Sequence, residues 1–450
     1  GELALQFTLL GLQGVEVRVE PWHPVNTLTW LKIMAYDLGG NFQHELDRVA
    51  LIAEVGVEKA EEFYPTYRGD SMPYIVSDEE LRRFQPGLVG PQTDVHTSDV
   101  VEDGDRSSRH LAATAHPGDT ASLIDALPTR MIGDIVPGEA LAIGRGGDVG
   151  SNNWVVSGDL TADGRPILAN DPHLAIQMPS IWYEVALHGP DRNVAGFGFA
   201  GVPGVVVGHN NRIAWGVTNV NPDVQDLYVE RINPANIYEY EVDGAWREME
   251  LRYETIDVHG RDEAETMIVR ETRHGPIVTD GTTRNGPQGV TITPPKGIAA
   301  AAQRVAPENV AITELSLRWT ALQPNRTFEA VLALNRAQDF EEFRAATALF
   351  DIPAQNFVYA DVDGNIGYQM PGTVPIRRNH DGRFPVPGWT DAYEWEGYIP
   401  FEELPYLYNP EKGYIETANQ PVVSERYPYL IHRDYNHGYR ARRIADLIEN

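Results

Sequence analysis

The most constraining feature of this chain is a serine that stands between a glycine-rich stretch and an apolar run. The segment reads Gly146-Gly147-Asp148-Val149-Gly150-Ser151-Asn152-Asn153-Trp154-Val155-Val156. Because glycine tolerates unusual backbone conformations, the Gly150–Ser151 bond can lie exposed on a loop while Ser151 is fixed at the head of a buried strand. One interpretation is a simple glycine-rich turn before a strand. The other is a serine that cuts its own preceding peptide bond, and whose freed α-amine, with an ordinary pKa of about 7.7–8.0, then serves as the base.

The composition excludes several classes of protein. A chain of 450 residues with 42% hydrophobic residues can bury a large core and is longer than one average domain. Its net charge of −29 argues against nucleic acid as a partner. With no cysteine, the chain has no disulfides, thiol catalysis or cysteine-ligated metals. No run approaches 18 apolar residues and no targeting signal is visible, so we expect no membrane partner.

Three segments differ in residue composition and in hydrophobic periodicity. Residues 1–83 are predicted to be the end of a largely helical segment, since apolar residues recur at helical spacing over 24–66. Residues 84–150 are polar and rich in Asp, Ser and Thr, which is typical of a linker. Residues 151–450 are dominated by short strands, and an Asp163-Gly164 turn between the first two predicts a hairpin. The whole pattern predicts an α+β fold.

An ordered series of blocks then resembles a known family. The blocks lie at 151–154, 168–174, 203–210, 214–219, 223–228, 355–361, 364–368 and 375–377. Together they resemble the penicillin acylase family of N-terminal nucleophile hydrolases. The resemblance implies an αββα four-layer sandwich, with 84–150 as the spacer before the cleavage site. Family precursors usually extend beyond both ends of this sequence, so we expect an internal portion of a longer precursor.

The resemblance also implies catalytic roles. Ser151 becomes the nucleophile after self-cleavage at Gly150–Ser151. The oxyanion donors are expected to be the Asn356 side chain and the backbone N–H of Asn219, and one such donor is typically worth about 10²–10³ in turnover. The carbonyl of His173 is expected to accept from the α-amine of the nucleophile, while its side chain either orients the amine through water or is structural.

Two further sets of residues are implied in the same way. Arg377 matches an arginine that holds the catalytic asparagine or the substrate, with a surface salt bridge as the alternative. The carboxylates of Glu45, Asp223 and Asp226, with the Gln225 carbonyl, match calcium ligands, and hard oxygen donors from distant parts of the chain suit Ca²⁺. Without that match, Asp223 and Asp226 would be taken for a solvated turn.

The acyl pocket is implied at six positions that carry aliphatic or thioether side chains. They are Met34, Leu38, Leu174, Val206, Val207 and Val217. Family members that favour phenylacetyl groups have phenylalanine at several of these positions. The loss of aromatic contacts predicts a wider or longer pocket, so an acyl chain or a bulkier aromatic group is as good a candidate as phenylacetyl.

We therefore expect an amidohydrolase that cleaves the N-acyl bonds of β-lactam side chains or of N-acyl homoserine lactones through an acyl-enzyme on Ser151. Calcium is the expected cofactor, with no organic cofactor, and the α and β fragments of one precursor are expected to associate as a heterodimer. The family implies a periplasmic or secreted location. The alternative is an unprocessed, non-catalytic, calcium-stabilised binding protein on the same scaffold.

Overall fold

The structure, a computed structural model, describes residues 5–14, 20–64, 67–89, 150–174, 180–190, 192–258, 260–279 and 312–450. Within these residues the helices are α1 (Leu5–Leu12), α2 (Pro24–Gly39), α3 (Phe42–Val55), α4 (Val57–Glu61), α5 (Asp78–Phe84), α6 (Thr327–Leu334), α7 (Phe340–Thr347) and α8 (Tyr439–Glu449). None of them is long and apolar enough to cross a bilayer. The linker predicted at 84–150 lies outside the described residues, except for 84–89 and 150.

The strands are short and follow one another closely after residue 150. They are β1 (Ser151–Val156), β2 (Ile167–Pro172), β3 (Trp182–Gly189), β4 (Arg192–Phe199), β5 (Val207–His209), β6 (Ile213–Asn219), β7 (Gln225–Ile232), β8 (Glu239–Val242), β9 (Ala245–Glu248), β10 (Glu250–Ile256), β11 (Glu265–Thr272), β12 (Gly275–Pro276), β13 (Ile312–Trp319), β14 (Gln355–Asp361), β15 (Ile366–Gln369), β16 (Pro375–Arg377), β17 (Val386–Pro387), β18 (Trp395–Tyr398), β19 (Tyr406–Tyr408) and β20 (Tyr414–Thr417).

A seven-stranded sheet, ordered β19-β15-β14-β6-β5-β4-β3, forms the centre of the fold. Alternate residues of a strand point to opposite faces, and β14 shows what each face buries. Phe357 and Tyr359 pack with residues of α6 and α7 on one side. Val358 and Ala360 pack with Val155 of β1 on the other side. Both faces of this sheet are therefore covered, by helices on one side and by a second sheet on the other.

The second sheet has three strands in the order β2-β1-β20 and carries Ser151 at its central strand. Strand β1 pairs antiparallel with β2, with Ser151 opposite Pro172 and Trp154 opposite Ala169, which confirms the predicted hairpin. Helix α8 contacts β1 and β20. The order helix, sheet, sheet, helix matches the four-layer arrangement, and the predicted α+β class is confirmed.

The first segment packs on a third sheet, ordered β13-β7-β8-β9 with β17 parallel to β7. Smaller groups of strands, β10-β11-β12 and β16-β18, complete the described architecture. The helical prediction for 24–66 corresponds to α2, α3 and α4, which are separated near Gly40 and at Gly56. Phe42 and Leu46 of α3 pack against Leu227 of β7. This packing carries the α3 residue Glu45 into a buried position.

A chain of buried hydrogen bonds joins the two facing sheets. The Tyr368 hydroxyl donates to Asn356 Oδ1 at 2.7 Å, and Asn356 Nδ2 donates to Thr218 Oγ1 at 3.1 Å. The Thr218 hydroxyl contacts the Thr417 hydroxyl, which donates to Asn153 Oδ1 at 2.6 Å. All five side chains are almost fully buried. Because a buried polar group without a partner is costly, this polar chain fixes the position of β1 relative to the larger sheet.

Removal of one hydroxyl tests this role. Thr417→Val keeps the volume but leaves Asn153 Oδ1 without its donor, so we expect a loss of about 1–3 kcal/mol in the free energy of unfolding. Urea denaturation measures it, and Thr255→Val on an exposed part of β10 is the matched control. If both variants fall within about 0.5 kcal/mol of wild type, as surface substitutions do, the polar chain does not hold the sheets in place.

Candidate active site

Ser151 is buried, with 6% of its surface exposed, and both ends of its backbone are held by side chains. Its N–H donates to Asn419 Oδ1 at 2.7 Å. Its carbonyl accepts from Arg440 Nη1 at 2.8 Å, and the same nitrogen donates to Asn152 Oδ1 at 2.6 Å. In the undivided chain, Asn419 Oδ1 is therefore the acceptor for the nitrogen that links Ser151 to Gly150.

Asn419 links the serine to the end of β6. Its Nδ2 donates to the carbonyl of Asn219 at 2.8 Å, while its Oδ1 accepts from Ser151 N–H and from Arg440 Nη2, the latter at 2.8 Å. A guanidinium has donors and no acceptor, so Arg440 dictates which end of the carboxamide faces Ser151. Asn419 has a φ of +64°, a left-handed conformation that asparagine tolerates better than most residues.

Asn356, the amide predicted as the oxyanion donor, is buried on strand β14. Its carboxamide accepts from Tyr368 and donates to Thr218, and its Nδ2 also reaches the Asn219 carbonyl at 3.3 Å. Among the described contacts, these bonds engage both the oxygen and the nitrogen of the Asn356 carboxamide. The asparagine that is hydrogen-bonded to Ser151 is Asn419. The sequence analysis missed Asn419 and Arg440.

Asn219 stands where the sequence predicts, at the end of β6. Its carbonyl accepts from two side-chain amides, those of Asn356 and Asn419. Its own Nδ2 donates to the Leu38 carbonyl at 2.6 Å, at the end of α2. Asn219 therefore links helix α2, strand β6 and the Asn419 side chain that contacts Ser151.

The backbone of His173 is hydrogen-bonded to the residue that precedes Ser151. Its N–H donates to the Gly150 carbonyl at 2.8 Å, and its ring Nε2 lies 2.8 Å from Asp171 Oδ2. The sequence predicts that the His173 carbonyl accepts from the nitrogen of Ser151. With the Gly150–Ser151 bond intact, that nitrogen donates to Asn419 instead.

The predicted calcium carboxylates are brought together, with Arg377 among them. Arg377 Nη2 lies 2.6 Å from Asp223 Oδ1, and its Nε lies 2.7 Å from Asp226 Oδ2. Glu45 accepts from the backbone N–H of Leu227. Arg377 therefore pairs with the acidic cluster, and this pairing is no surface salt bridge, since its side chain is 2% exposed. Its part in holding the catalytic asparagine or the substrate stays a prediction.

The electrostatics of this cluster follow from burial. Burial raises the pKa of Glu45 well above its ordinary value, and the charges of Asp226 and Asp223 add to the shift. Burial also raises the pKa of Asp223 to about 8, although Arg377 opposes this. Asp226 Oδ1 is buried and has no hydrogen-bond partner. Arg377 thus pairs with two of the three carboxylates. The described residues contain no group of three or more acidic or histidine side chains that could hold a metal as they stand.

The predicted pocket residues fall into two adjoining clusters. Met34, Leu38, Leu174 and Val206 share one of them. Val207 and Val217 belong to the other, beneath α6 and α7, and Val206 touches both. The first cluster also contains aromatic side chains that the prediction omits, namely Trp30, Trp182, Phe199 and Phe328. The rings of Trp182 and Phe199 stack with their centroids 4.8 Å apart. The surroundings of the predicted pocket are therefore mixed aliphatic and aromatic.

The two facing sheets with Ser151 at the head of the central strand define the N-terminal nucleophile hydrolase fold. A solved structure, the thermostable penicillin G acylase from Alcaligenes faecalis, is similar with a TM-score of 0.54 and 27% sequence identity, over 66% of this chain and 49% of that one. The family model for penicillin amidase matches residues 1–450. The chain therefore belongs to the penicillin amidase family.

Curated relatives carry two kinds of name. The acyl-homoserine lactone acylase QuiP of Pseudomonas aeruginosa is 28% identical over 96% of this chain and 44% of its own length. The penicillin acylase 2 proenzyme of Pseudomonas sp. strain SE83 is 29% identical over 99% of this chain and 49% of its own length. The penicillin G acylase of Escherichia coli is 35% identical over 60% of this chain and 28% of its own length. The chain spans about half the length of the first two, and less of the third.

Proposed function

We propose that this protein is an amidohydrolase that cleaves N-acyl amide bonds, with Ser151 as a nucleophile freed by self-cleavage at Gly150–Ser151. The observation that carries the proposal is the single carboxamide of Asn419, which contacts both the nitrogen of Ser151 and the carbonyl of Asn219. Membership of the penicillin amidase family supports it. After cleavage, the two fragments of the precursor would stay together as a heterodimer. Helix α3 precedes the cleavage site in the sequence, strand β7 follows it, and the two pack against each other.

The base in this mechanism is the α-amine of Ser151. It takes the proton of the serine hydroxyl, directly or through one water, as the oxygen attacks the substrate carbonyl. Asn419 Oδ1 accepts from the amine and so directs its lone pair. Arg440 Nη2 donates to the same oxygen at 2.8 Å and so keeps that oxygen facing the amine.

The oxyanion donors in this mechanism are Asn419 Nδ2 and the backbone N–H of Asn219. A primary amide has two N–H donors, so the bond to the Asn219 carbonyl leaves one of them for the oxyanion. When the tetrahedral intermediate collapses, the C–N bond breaks and the amine leaves with the proton taken from the serine. Water then hydrolyses the ester on Ser151 by the same route and releases the acid.

The substrates we propose are penicillin or cephalosporin side-chain amides and N-acyl homoserine lactones. Relatives are named for both reactions, and both join an apolar acyl group to a polar amine. We place the acyl group among the side chains around Met34, Leu38 and Val206. Export to the periplasm or the medium stays a prediction from the family.

Paired alanine variants test the assignment of the donors. Asn419→Ala should lower kcat per mole of cleaved chain by about 10²–10³, the usual loss for one oxyanion donor. Asn356→Ala should mainly lower stability, by about 1–3 kcal/mol, because it interrupts the buried polar chain. Ser151→Ala should abolish both cleavage and hydrolysis. A larger loss of kcat in Asn356→Ala than in Asn419→Ala would restore Asn356 as the donor.

A series of chromogenic N-acyl substrates tests the acyl pocket. A methylene in an apolar pocket is worth about 1–3 kcal/mol, so kcat/KM should rise with acyl length over several carbons. Val206→Phe should shift the preferred length downwards because it adds bulk where the two clusters meet, while Val25→Phe on the exposed side of α2 should not. A sharp optimum at phenylacetyl, with unreactive linear chains, would contradict this pocket.

We also propose that a hard divalent cation, Ca²⁺, binds at the acidic cluster. The donor set fits, because carboxylate oxygens are the ligands that calcium prefers, and Asp226 Oδ1 is buried without a partner. Glu45, Asp223 and Asp226 would hold the ion together with the Gln225 carbonyl, once the carboxylates turn towards it. The ion would neutralise buried charge and join the first segment to β7.

Chelation tests the cation. A ligand that binds only the folded state stabilises it by about 2.7 kcal/mol at 100 times its Kd, so EDTA should lower Tm and added Ca²⁺ should restore it. Asp226→Asn should weaken this response, and Asp70→Asn, at an exposed position, should retain it. The cation is excluded if Tm is the same in EDTA and in excess Ca²⁺.

A further inference from the structure

We propose that the backbone N–H of His173 is the oxyanion donor for self-cleavage of the Gly150–Ser151 bond, and that it has no part in the hydrolysis of substrates. The inference rests on the proposed function, since it concerns how the nucleophile is released. It gives His173 a role that its side chain does not reveal.

The carbonyl that must be attacked is already hydrogen-bonded. The His173 N–H donates to the Gly150 oxygen at 2.8 Å, within the range of a good N–H···O bond. The register of the hairpin explains why this donor is at hand. Ser151 lies opposite Pro172, which has no N–H, and the next residue supplies one at the end of β2. A donor that is fixed before the reaction needs no reorganisation when charge develops on the oxygen.

The other side of the scissile bond is held separately. The nitrogen of Ser151 donates to Asn419 Oδ1, and Arg440 holds that oxygen in turn. A Cβ at position 150 would lie 2.7 Å from Arg440 Nη2 and 3.1 Å from Asn419 Oδ1. Glycine at this position therefore avoids crowding the Asn419 and Arg440 side chains that hold the nitrogen of Ser151.

The step balances as an N→O acyl shift followed by hydrolysis. The serine hydroxyl attacks the Gly150 carbonyl carbon, and the negative charge develops on the oxygen that His173 N–H contacts. The C–N bond breaks, the hydroxyl proton passes to the nitrogen, and an ester remains between Gly150 and Ser151. Water hydrolyses this ester to the Gly150 carboxylate and a free serine hydroxyl.

The His173 N–H would act in a single reaction, the self-cleavage of the chain. After hydrolysis, Gly150 is a chain end, and substrates are then served by Asn419 and the Asn219 N–H. Loss of the His173 N–H should therefore slow maturation without changing turnover, whereas a purely structural role would reduce both.

The test uses a matched pair in the full-length precursor. One variant is His173→Ala, and the other carries lactic acid at position 173. Lactic acid has the methyl side chain of alanine, but an ester oxygen replaces the backbone N–H. His173→Pro removes the same N–H by ordinary mutagenesis, in case the ester variant is made poorly. The rate at which two fragments appear is followed by intact mass, and kcat is measured per mole of cleaved chain. Melting of each variant in a Ser151→Ala background confirms folding.

We expect the ester variant to mature about 10²–10³ times more slowly than His173→Ala, with the same kcat once cleaved. Equal maturation rates in the pair would overturn the inference while leaving the proposed function intact. Equal proportional losses in maturation and kcat would also overturn it, in favour of a structural role. If the wild-type chain itself never divides at Gly150–Ser151, the proposed function fails first.

Discussion

The orientation of one carboxamide, that of Asn419, is the constraint on which the site depends. Its oxygen faces Ser151 and its nitrogen faces Asn219, and Arg440 prevents the reverse arrangement because a guanidinium can only donate. A flipped amide would set an N–H against the N–H of Ser151 and leave the proposed base without its acceptor. The proposed nucleophile, base and oxyanion donor are thus positioned by a single rotamer of Asn419, which Arg440 of helix α8 holds in place.

The chain of buried hydrogen bonds between the two sheets explains why the Asn419 side chain lies next to Ser151. It runs from Tyr368 to Asn153 through both sheets, and each bond in it satisfies a group that water cannot reach. Thr417 is a member of this chain and lies two residues before Asn419, so the link between the sheets also sets the start of the loop that carries the carboxamide. A one-residue slip of β1 would turn Asn153 away from Thr417. The packing of the two sheets and the position of Asn419 beside Ser151 therefore depend on the same register.

Local pattern predicted much of this fold but not the partners of the nucleophile. The strand at Ser151, the hairpin to β2 and the helices before residue 66 follow from periodicity and turn residues within short windows. Asn419 and Arg440 stand 268 and 289 positions from Ser151, so no local pattern places either of them beside it. Asn356 of β14 and Asn419 of the loop after β20 both donate to the Asn219 carbonyl. Sequence spacing cannot show which of these two amides lies next to Ser151. For the same reason, spacing did not predict that Arg377 pairs with Asp223 and Asp226.

The central claim is that Ser151 is released as a chain terminus and then carries the acyl group. The most direct measurement is the intact mass of the full-length protein before and during reaction with a slowly hydrolysed N-acyl substrate, with peptide mapping of the products. The account predicts two fragments divided between Gly150 and Ser151, and a transient acyl adduct on the peptide that begins at Ser151. A single undivided chain, or an adduct on any other residue, would contradict it.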